Sequence, residues 1–128
     1  MRRRIANCFV VTPDSVIIAG YYTLAAASIP VLDLPVELKK RLPRYPVLPA
    51  ALIGRLAVDR RFQGKGLGGA LLFDAITRAV RAEPAIFSLI VDAKDDRPVA
   101  FCRRYGFTAF VSRRRSLFLP IATAAELL

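Results

Sequence analysis

The sequence predicts an α/β fold in which a mixed central sheet carries two crossover helices. Two observations lead to this prediction: apolar runs of strand length alternate with two segments of helical periodicity, and 128 residues allow one domain, 1–128. Hydrophobic residues make up 55% of the chain and charged residues 23%, which is typical of a globular protein. The expected element order is β-β-β-α-β-α-β-β, without a repeat or a low-complexity linker.

The first half of the chain predicts strands and a loop. Strands at 6–11 and 16–24 are expected to form a hairpin, because the turn between them contains proline and aspartate. Five prolines between residues 29 and 49 predict a loop with one short helical turn at 36–42. The largely apolar run 51–58 predicts a buried strand.

The second half predicts two helices and the remaining strands. After a glycine-rich turn at 59–66, apolar residues recur at helical spacing over 67–80, with polar residues on the other face. A strand is expected at 85–92, followed by a helix with Asp96 as its cap and Gly106 at its end. Strands at 107–111 and 116–119 complete the sheet.

Charge gives the first indication of function. The chain has 20 Lys and Arg against 10 Asp and Glu, a net charge of +10, and no histidine. The basic residues are clustered at 2–4, 39–44, 60–65, 103–104 and 113–115, which favours a polyanionic partner. Without histidine, a Ser-His or Cys-His pair and an HExxH zinc site are excluded. Cys8 and Cys102 alone cannot form a four-thiolate site, so no metal is expected.

Neither a leader peptide nor a membrane segment is expected. The uncharged stretch 15–32 is long enough to span a bilayer, but Gly20 and Pro30 interrupt it and polar side chains lie within it. The arginines after Met1 are not followed by an apolar region with a cleavage site. Together with two isolated cysteines, this pattern favours a reduced, cytoplasmic protein.

The turn before the first long helix has the composition of an anion-binding loop. Four glycines between residues 64 and 69 let backbone amides approach an anion at a helix N-terminus. A Walker A loop is excluded because glycine follows Lys65. A Rossmann fingerprint is formally present, but the turn is too long and that fold needs more chain. The remaining class is the acetyltransferase pyrophosphate loop, in which Arg or Gln is followed after any two residues by Gly-x-Gly or Gly-x-Ala; it corresponds to 61–66.

The segment from Gly54 to Gly68 resembles the acetyl-CoA motif of the GNAT N-acetyltransferases. The stretches 19–25, 100–107 and 117–120 resemble the tRNA-acetylating toxins of type II toxin–antitoxin systems. The resemblance runs from about Arg4 to Pro120, with an acetyl-CoA-binding core at about 51–107. It implies a GNAT-like sheet that lacks the first strand and two helices of the family. The sheet edge left uncovered favours association, so a homodimer is one expected state.

The resemblance implies acetyl transfer from acetyl-CoA to the α-amine of aminoacyl-tRNA, with an antitoxin protein as a second partner. Loop residues would hold the pyrophosphate and strand backbone would pair with pantetheine, where the Val58 N–H would stabilise the oxyanion. The implied cofactor-binding residues are Leu56, Ala57, Val58, Arg61, Gln63, Gly64, Lys65, Gly66, Leu67 and Gly68.

The resemblance places the proton donor for the leaving thiolate at Cys102, where the toxins carry tyrosine. A thiol is mostly protonated at neutral pH and can donate, but its side chain is much shorter. Tyr105 and an ordered water are the alternative proton donors. A purely structural interpretation is that Cys102 and Tyr105 both pack in the core. The expected nucleic-acid contacts are Arg103, Arg104, Arg113, Arg114 and Arg115.

Two other functions stay open at this point. One is a GNAT that acetylates a small amine or a protein N-terminus, against which the net charge argues mildly. The other is a truncated GNAT with impaired catalysis that only binds CoA, RNA or antitoxin. The short N-terminus and Cys102 favour this last alternative.

Overall fold

The computed structural model describes residues 6–42 and 46–128, so the basic residues 2–4 and Arg44 lie outside the described part. Six strands form one sheet in the order β1-β2-β3-β4-β6-β5. The strands are β1 Ala6–Val11, β2 Gly20–Pro30, β3 Val47–Val58, β4 Ser88–Asp92, β5 Thr108–Ala109 and β6 Ser116–Pro120. The helices are α1 Val36–Lys39, α2 Leu67–Val80, α3 Asp96–Arg104 and α4 Ile121–Ala125.

The mixed α/β sheet expected from the sequence is confirmed. β3 and β4 are parallel and are joined through α2, whereas the other neighbouring strands pair antiparallel. α2 spans the residues predicted from the periodicity. Its apolar positions form one stripe that faces the sheet, and burial of this stripe is the main reason that the segment is helical. The buried positions of α2 are Leu71, Leu72, Ala75, Ile76 and Ala79.

Each face of the sheet has its own apolar core. On one face, Leu89 and Leu117 pack with residues of α2, α3 and α4. On the other face, Ile90 and Phe118 pack with Leu34 of the proline-rich segment. Neighbouring residues of a strand point to opposite faces, so β4 and β6 are apolar along their length because both of their faces are covered. Below, the first is called the helical face, and the second, which α2, α3 and α4 do not cover, is called the open face.

The second strand begins later than predicted. Residues 16–19 precede β2, and Val16 and Ile18 are exposed. The Asp14 carboxylate accepts hydrogen bonds from the N–H groups of Val16 and Ile17, both at 2.9 Å. In this turn the two N–H groups donate to the Asp14 side chain, so they are not available for hydrogen bonds to a neighbouring strand. At its other end, β2 pairs with β3 as far as Pro30, so it is also longer than predicted.

The other differences lie at element ends. The proline-rich segment is a loop only in part, because β3 starts at Val47 and includes Pro49. The helical turn expected within it is confirmed as α1. β4 starts at Ser88 rather than at residue 85, and only two residues of the predicted strand 107–111 pair with β6.

The helix ends agree only in part with those predicted from the sequence. Asp95 caps α3 instead of Asp96, because its carboxylate accepts the Arg97 N–H at 2.9 Å. Gly106 follows α3 with φ of 96°, as expected of a glycine that ends a helix. The five-residue α4 was not predicted, because it is too short to show a periodicity.

Candidate active site

A β-bulge in β3 opens the sheet. Tyr22 pairs with Leu56 and Leu24 with Ile53, so Gly54 and Arg55 together oppose the single residue Thr23. The Thr23 hydroxyl accepts the Arg55 N–H at 3.1 Å. A side chain at Gly54 would place its Cβ 2.9 Å from the same oxygen, so it would push the Thr23 hydroxyl away from its bond to Arg55. Bulges bend a strand and end its regular pairing.

Beyond the bulge, β3 separates from β4. Pairing between the two strands stops at Ile53 and Val91, whereas β3 continues to Val58 alongside β2. The Asp59 N–H donates to the Ala19 carbonyl on the β2 side at 2.8 Å. Because amides alternate in direction along a strand, the N–H groups of Leu56 and Val58 point away from β2 into the gap.

A cavity of about 420 Å³ fills the gap between the two strands. Leu56, Ala57 and Cys102, which the sequence suggested as site residues, line it together. Leu72 and Phe101 border it from the helical face. Val58 does not line this cavity, but its carbonyl accepts a 3.1 Å hydrogen bond from the Gln63 side chain, which ties the loop to the end of the strand.

The glycine-rich loop lies at the N-terminus of α2, next to the open end of the gap. Gly64 and Gly66 have φ of 78° and 79°, in the left-handed region that glycine adopts without strain. No protein atom lies within 4 Å of a Cβ placed at either position, so the loop leaves open space in front of it. The first amides of α2 have no partner within the helix and can accept an anion there. The residues of this loop therefore fit a pyrophosphate.

Arg61 has a second role beside the one expected from its charge. Its guanidinium binds the Asp59 carboxylate at 3.0 and 3.3 Å, and its N–H donates to the same carboxylate at 2.9 Å. These bonds hold the pKa of Asp59 below its usual value. The pair thus shapes the start of the loop, and Arg60 and Lys65 are the cations of the turn that make no ion pair in the described part of the chain.

Cys102 lies in the cavity but is not a strong acid. The residue is 6% exposed, and burial raises the pKa of its thiol to about 11. The thiol therefore stays protonated at neutral pH and gives up its proton less readily than an ordinary cysteine does.

Tyr105 lies outside the cavity. Its ring packs against Phe101, with 5.3 Å between centroids, and its hydroxyl lies against Gly69 in the first turn of α2. A Cβ at Gly69 would overlap that hydroxyl. The structure thus favours packing as the role of Tyr105, which does not line the cavity that Cys102 borders.

The predicted nucleic-acid arginines divide into two groups. Arg113 lies 3.8 Å from Asp33, and Arg115 binds Asp96 at 3.3 Å. No ion pair involves Arg103, Arg104 or Arg114 within the described ranges. The cluster 113–115 borders a surface depression that shares residues 92 and 93 with the cavity, so these cations lie beside the mouth of the site.

Sequence reasoning missed most residues of the cavity, among them the polar side chains of Tyr21, Arg55, Asp92, Lys94 and Asp95. Tyr21 lies within the stretch 19–25, which resembles the toxins but gives no role to a particular side chain. Arg55 lies within the largely apolar run 51–58, which predicts only a buried strand. Tyr22, beside Tyr21, is engaged elsewhere: its hydroxyl donates to Asp74, which also binds Arg78 at 3.0 Å. Burial, followed by the bond to Asp74, raises the pKa of Tyr22.

Residues 6–42 and 46–128 contain neither a cluster of metal ligands nor a long apolar helix. Within these ranges, no group of three His, Cys, Asp or Glu side chains could hold a metal ion. None of the helices found there combines the length and the apolar character that a bilayer span needs.

Residues 48–120 match the family model described as an acetyltransferase (GNAT) domain. A tRNA-acetylating toxin of Mycobacterium tuberculosis is 40% identical over 104 residues, which cover 80% of this chain and 61% of that protein. A probable toxin TacT of Sinorhizobium fredii is 32% identical over 124 residues, covering 90% and 68%. The chain thus spans about two thirds of the length of these relatives.

Solved structures show the same likeness. AtaT in complex with acetyl-methionyl-tRNAfMet superimposes with a TM-score of 0.87 at 29% identity, covering 97% of this chain and 76% of that one. AtaTR bound with AcCoA gives 0.81 at 28% identity, with coverage of 97% and 75%. An AtaT mutant bound to the C-terminus of the antitoxin AtaR gives 0.71 at 28% identity, with coverage of 87% and 64%.

Proposed function

Because this chain belongs to the GNAT acetyltransferase family, we propose that it transfers the acetyl group of acetyl-CoA to the α-amine of aminoacyl-tRNA. The observation that carries the proposal is the gap between β3 and β4, which leads from the glycine loop at α2 to a cavity lined by residues of both strands. The tRNA and acetyl-CoA complexes of the structural relatives support both substrates.

The described residues can bind acetyl-CoA in three places. The amides at the start of α2 and Lys65 would take the pyrophosphate, because helix dipole and charge act in the same direction. The Leu56 and Val58 backbone, which β4 leaves unpaired, would hydrogen-bond the pantetheine. The thioester would then lie towards Cys102. The Val58 N–H, which points into the gap from outside the cavity lining, would be the donor to the oxyanion. Bound acetyl-CoA supplies the activated acetyl group.

The acceptor side depends on charge. The α-amine of an aminoacyl ester is less basic than the ε-amine of a lysine side chain and reaches the site partly neutral. A strong general base is therefore not required. Arg103, Arg104 and Arg114 would contact tRNA phosphates, with smaller contributions from the carboxylate-bound Arg113 and Arg115. We propose further that the protein is the toxin of a toxin–antitoxin pair and acts in the cytoplasm, where aminoacyl-tRNA is found. The relatives named as toxins and the AtaR complex support this proposal.

A catalytically impaired protein that only binds CoA, RNA or antitoxin remains the second candidate. The high pKa of Cys102 and the position of Tyr105 outside the cavity favour it, because neither side chain is then an effective acid. Transfer to a small amine or a protein N-terminus is the third.

Labelled acetyl-CoA and a charged tRNA pool separate these functions. We expect label in acetyl-aminoacyl-adenosine after nuclease digestion of the tRNA, identified by mass spectrometry. Gly66→Asp should abolish this product and acetyl-CoA binding measured by calorimetry, because it places a carboxylate where the pyrophosphate would lie. Gly66→Ala is the matched control: it carries the same backbone strain at φ of 79°, without the charge.

The outcomes distinguish the candidates. Binding of acetyl-CoA without labelled tRNA, at any charging level, would contradict the transferase and support the binding protein. Label on peptides or small amines alone would support the third candidate. Equal affinity of the parent and Gly66→Asp would overturn the assignment of the loop.

A further inference from the structure

Tyr21 borders the cavity from the open face of the sheet. The neighbouring Tyr22 turns towards Asp74 on α2, so Tyr21 points to the opposite side. Tyr21 pairs with Ala57 on β3, which lies between it and the gap. Because alanine ends in a methyl group, the tyrosine ring reaches across it and lines the cavity.

Arg55 borders the same cavity from the bulge. Its backbone is fixed by the 3.1 Å bond from its N–H to the Thr23 hydroxyl, while its side chain is exposed. No carboxylate of the described residues lies within ion-pairing distance of its guanidinium. Tyr21 and Arg55, which makes no ion pair in the described part of the chain, therefore border one opening, which Asp92, Lys94 and Asp95 also line.

The two faces differ in what they can bind. The glycine loop belongs to α2, which covers the helical face, so acetyl-CoA occupies the gap from that side. The open face is then left for the acceptor, and Tyr21 is the aromatic side chain that borders the cavity there. Unpaired nucleotides are bound by stacking of a base on an aromatic ring, with a cation at the adjacent phosphate.

We propose that Tyr21 stacks on the terminal nucleobase of the aminoacyl-tRNA and that Arg55 contacts the phosphate of that nucleotide. The pair thereby selects acceptors whose amine is attached to a nucleotide. This inference rests on the proposed transferase function and specifies the acceptor subsite of the same cavity.

Two small acceptors with the same amino acid test this subsite. One is the amino-acid methyl ester, and the other is the amino acid linked as a stable amide to 3′-amino-3′-deoxyadenosine 5′-phosphate, both prepared across the proteinogenic amino acids. The parent should acetylate the nucleotide conjugate with a KM about 5- to 150-fold below that of the ester, the range that stacking of one base provides.

Variants separate the ring from the hydroxyl. Tyr21→Ala should raise the KM of the conjugate to that of the ester measured with the same variant, and it should leave acetyl-CoA affinity unchanged. Tyr21→Phe should keep the parent preference, because the ring remains. Arg55→Gln should raise the KM for the conjugate but not for the same conjugate without its phosphate. Val10→Ala is the matched control, since Val10 pairs with Tyr21 on β1, is 53% exposed and does not line the cavity.

The kinetic results distinguish failure of the acceptor subsite from failure of the transferase function. Equal KM values for ester and conjugate in the parent would overturn the subsite and leave the transferase standing. An equal loss in Tyr21→Phe and Tyr21→Ala would also overturn it, because the hydroxyl and not the ring would then matter. Acetyl-CoA binding without acetylation of any acceptor would contradict the transferase function itself, and the subsite with it.

Discussion

Cys102 lines the cavity, but its raised pKa makes the thiol a poor proton donor. Restoring a phenol tests whether this limits the reaction: Cys102→Tyr should raise the acetylation rate of aminoacyl-tRNA by about 10²–10⁴-fold, the usual contribution of a general acid. Acetyl-CoA affinity should change little, because the loop and strand backbone carry it. Single-turnover kinetics with saturating acetyl-CoA measures the rate of the chemical step.

Cys102→Ala is the control for this experiment. Because burial raises the thiol pKa to about 11, alanine should leave the parent rate nearly unchanged. A large loss in the alanine variant would instead make the thiol the working acid. A folded Cys102→Tyr protein that binds acetyl-CoA without any gain in rate would exclude a missing acid as the defect.

The same buried thiol makes folding sensitive to alkali. The folded pKa of about 11 lies above the ordinary value of 9.0, so the unfolded chain loses this proton first as the pH rises. The contribution to stability is complete below pH 9 and is lost between about pH 9 and 11, by about 2 to 3 kcal/mol. Urea unfolding at pH 8 and pH 10.5 should show a smaller decrease for Cys102→Ala than for the parent. Parallel decreases would argue against the shift.

Among the elements, α2 and α3 pack closely where two glycines of α2 lie against aromatic side chains of the α3 segment. Tyr105 lies against Gly69, and Phe101 lies 3.8 Å from a Cβ placed at Gly68. Glycine to alanine inside a helix ordinarily stabilises by about 1 kcal/mol. Gly69→Ala should destabilise the parent, because the methyl group meets the Tyr105 hydroxyl. In a Tyr105→Phe background the same change should be neutral or stabilising.

A double-mutant cycle by chemical denaturation measures this coupling. The Tyr105→Phe variant also tests function, since it should keep the parent acetylation rate if the phenol only packs. Additive free energies in the cycle would contradict the contact, and a large rate loss in Tyr105→Phe would return Tyr105 to the candidate acids.

How far the sequence predicts each element depends on how local its cause is. The α2 stripe and the glycine loop are encoded in neighbouring residues, and both were predicted. The bulge depends on Thr23 meeting Gly54 from another strand, and the contribution of Tyr21 to the cavity depends on Ala57 across the ladder. Such contacts join residues distant in the chain, so periodicity and motif spacing do not reveal them.

At the scale of the whole molecule, the net charge of +10 predicts salt-dependent binding of tRNA. Neutralising Arg103, Arg104 or Arg114 should flatten the slope of log K against log salt by about 0.7 to 0.9 for each phosphate that is no longer neutralised. Arg113→Gln and Arg115→Gln should have smaller effects, because Asp33 and Asp96 already offset their charge.

Arg81→Gln is the matched control for these substitutions. It removes one positive charge at the end of α2, about 20 Å from the glycine loop by the rise of the helix. Fluorescence anisotropy with labelled tRNA over a salt series gives the slopes. A slope independent of salt, or an Arg81→Gln effect equal to that of Arg114→Gln, would contradict a localised tRNA surface.

For the proposed transferase, the gap between β3 and β4 also has a kinetic consequence. Since helical-face residues and Tyr21 of the open face line one cavity, the two substrates have separate approaches and can be held simultaneously. Turnover then proceeds through a ternary complex, with no acetylated enzyme between two half-reactions. Double-reciprocal plots should intersect, and free CoA should compete with acetyl-CoA but not with the aminoacyl acceptor. An enzyme of this kind would release no acetyl group to water while it waits for a tRNA.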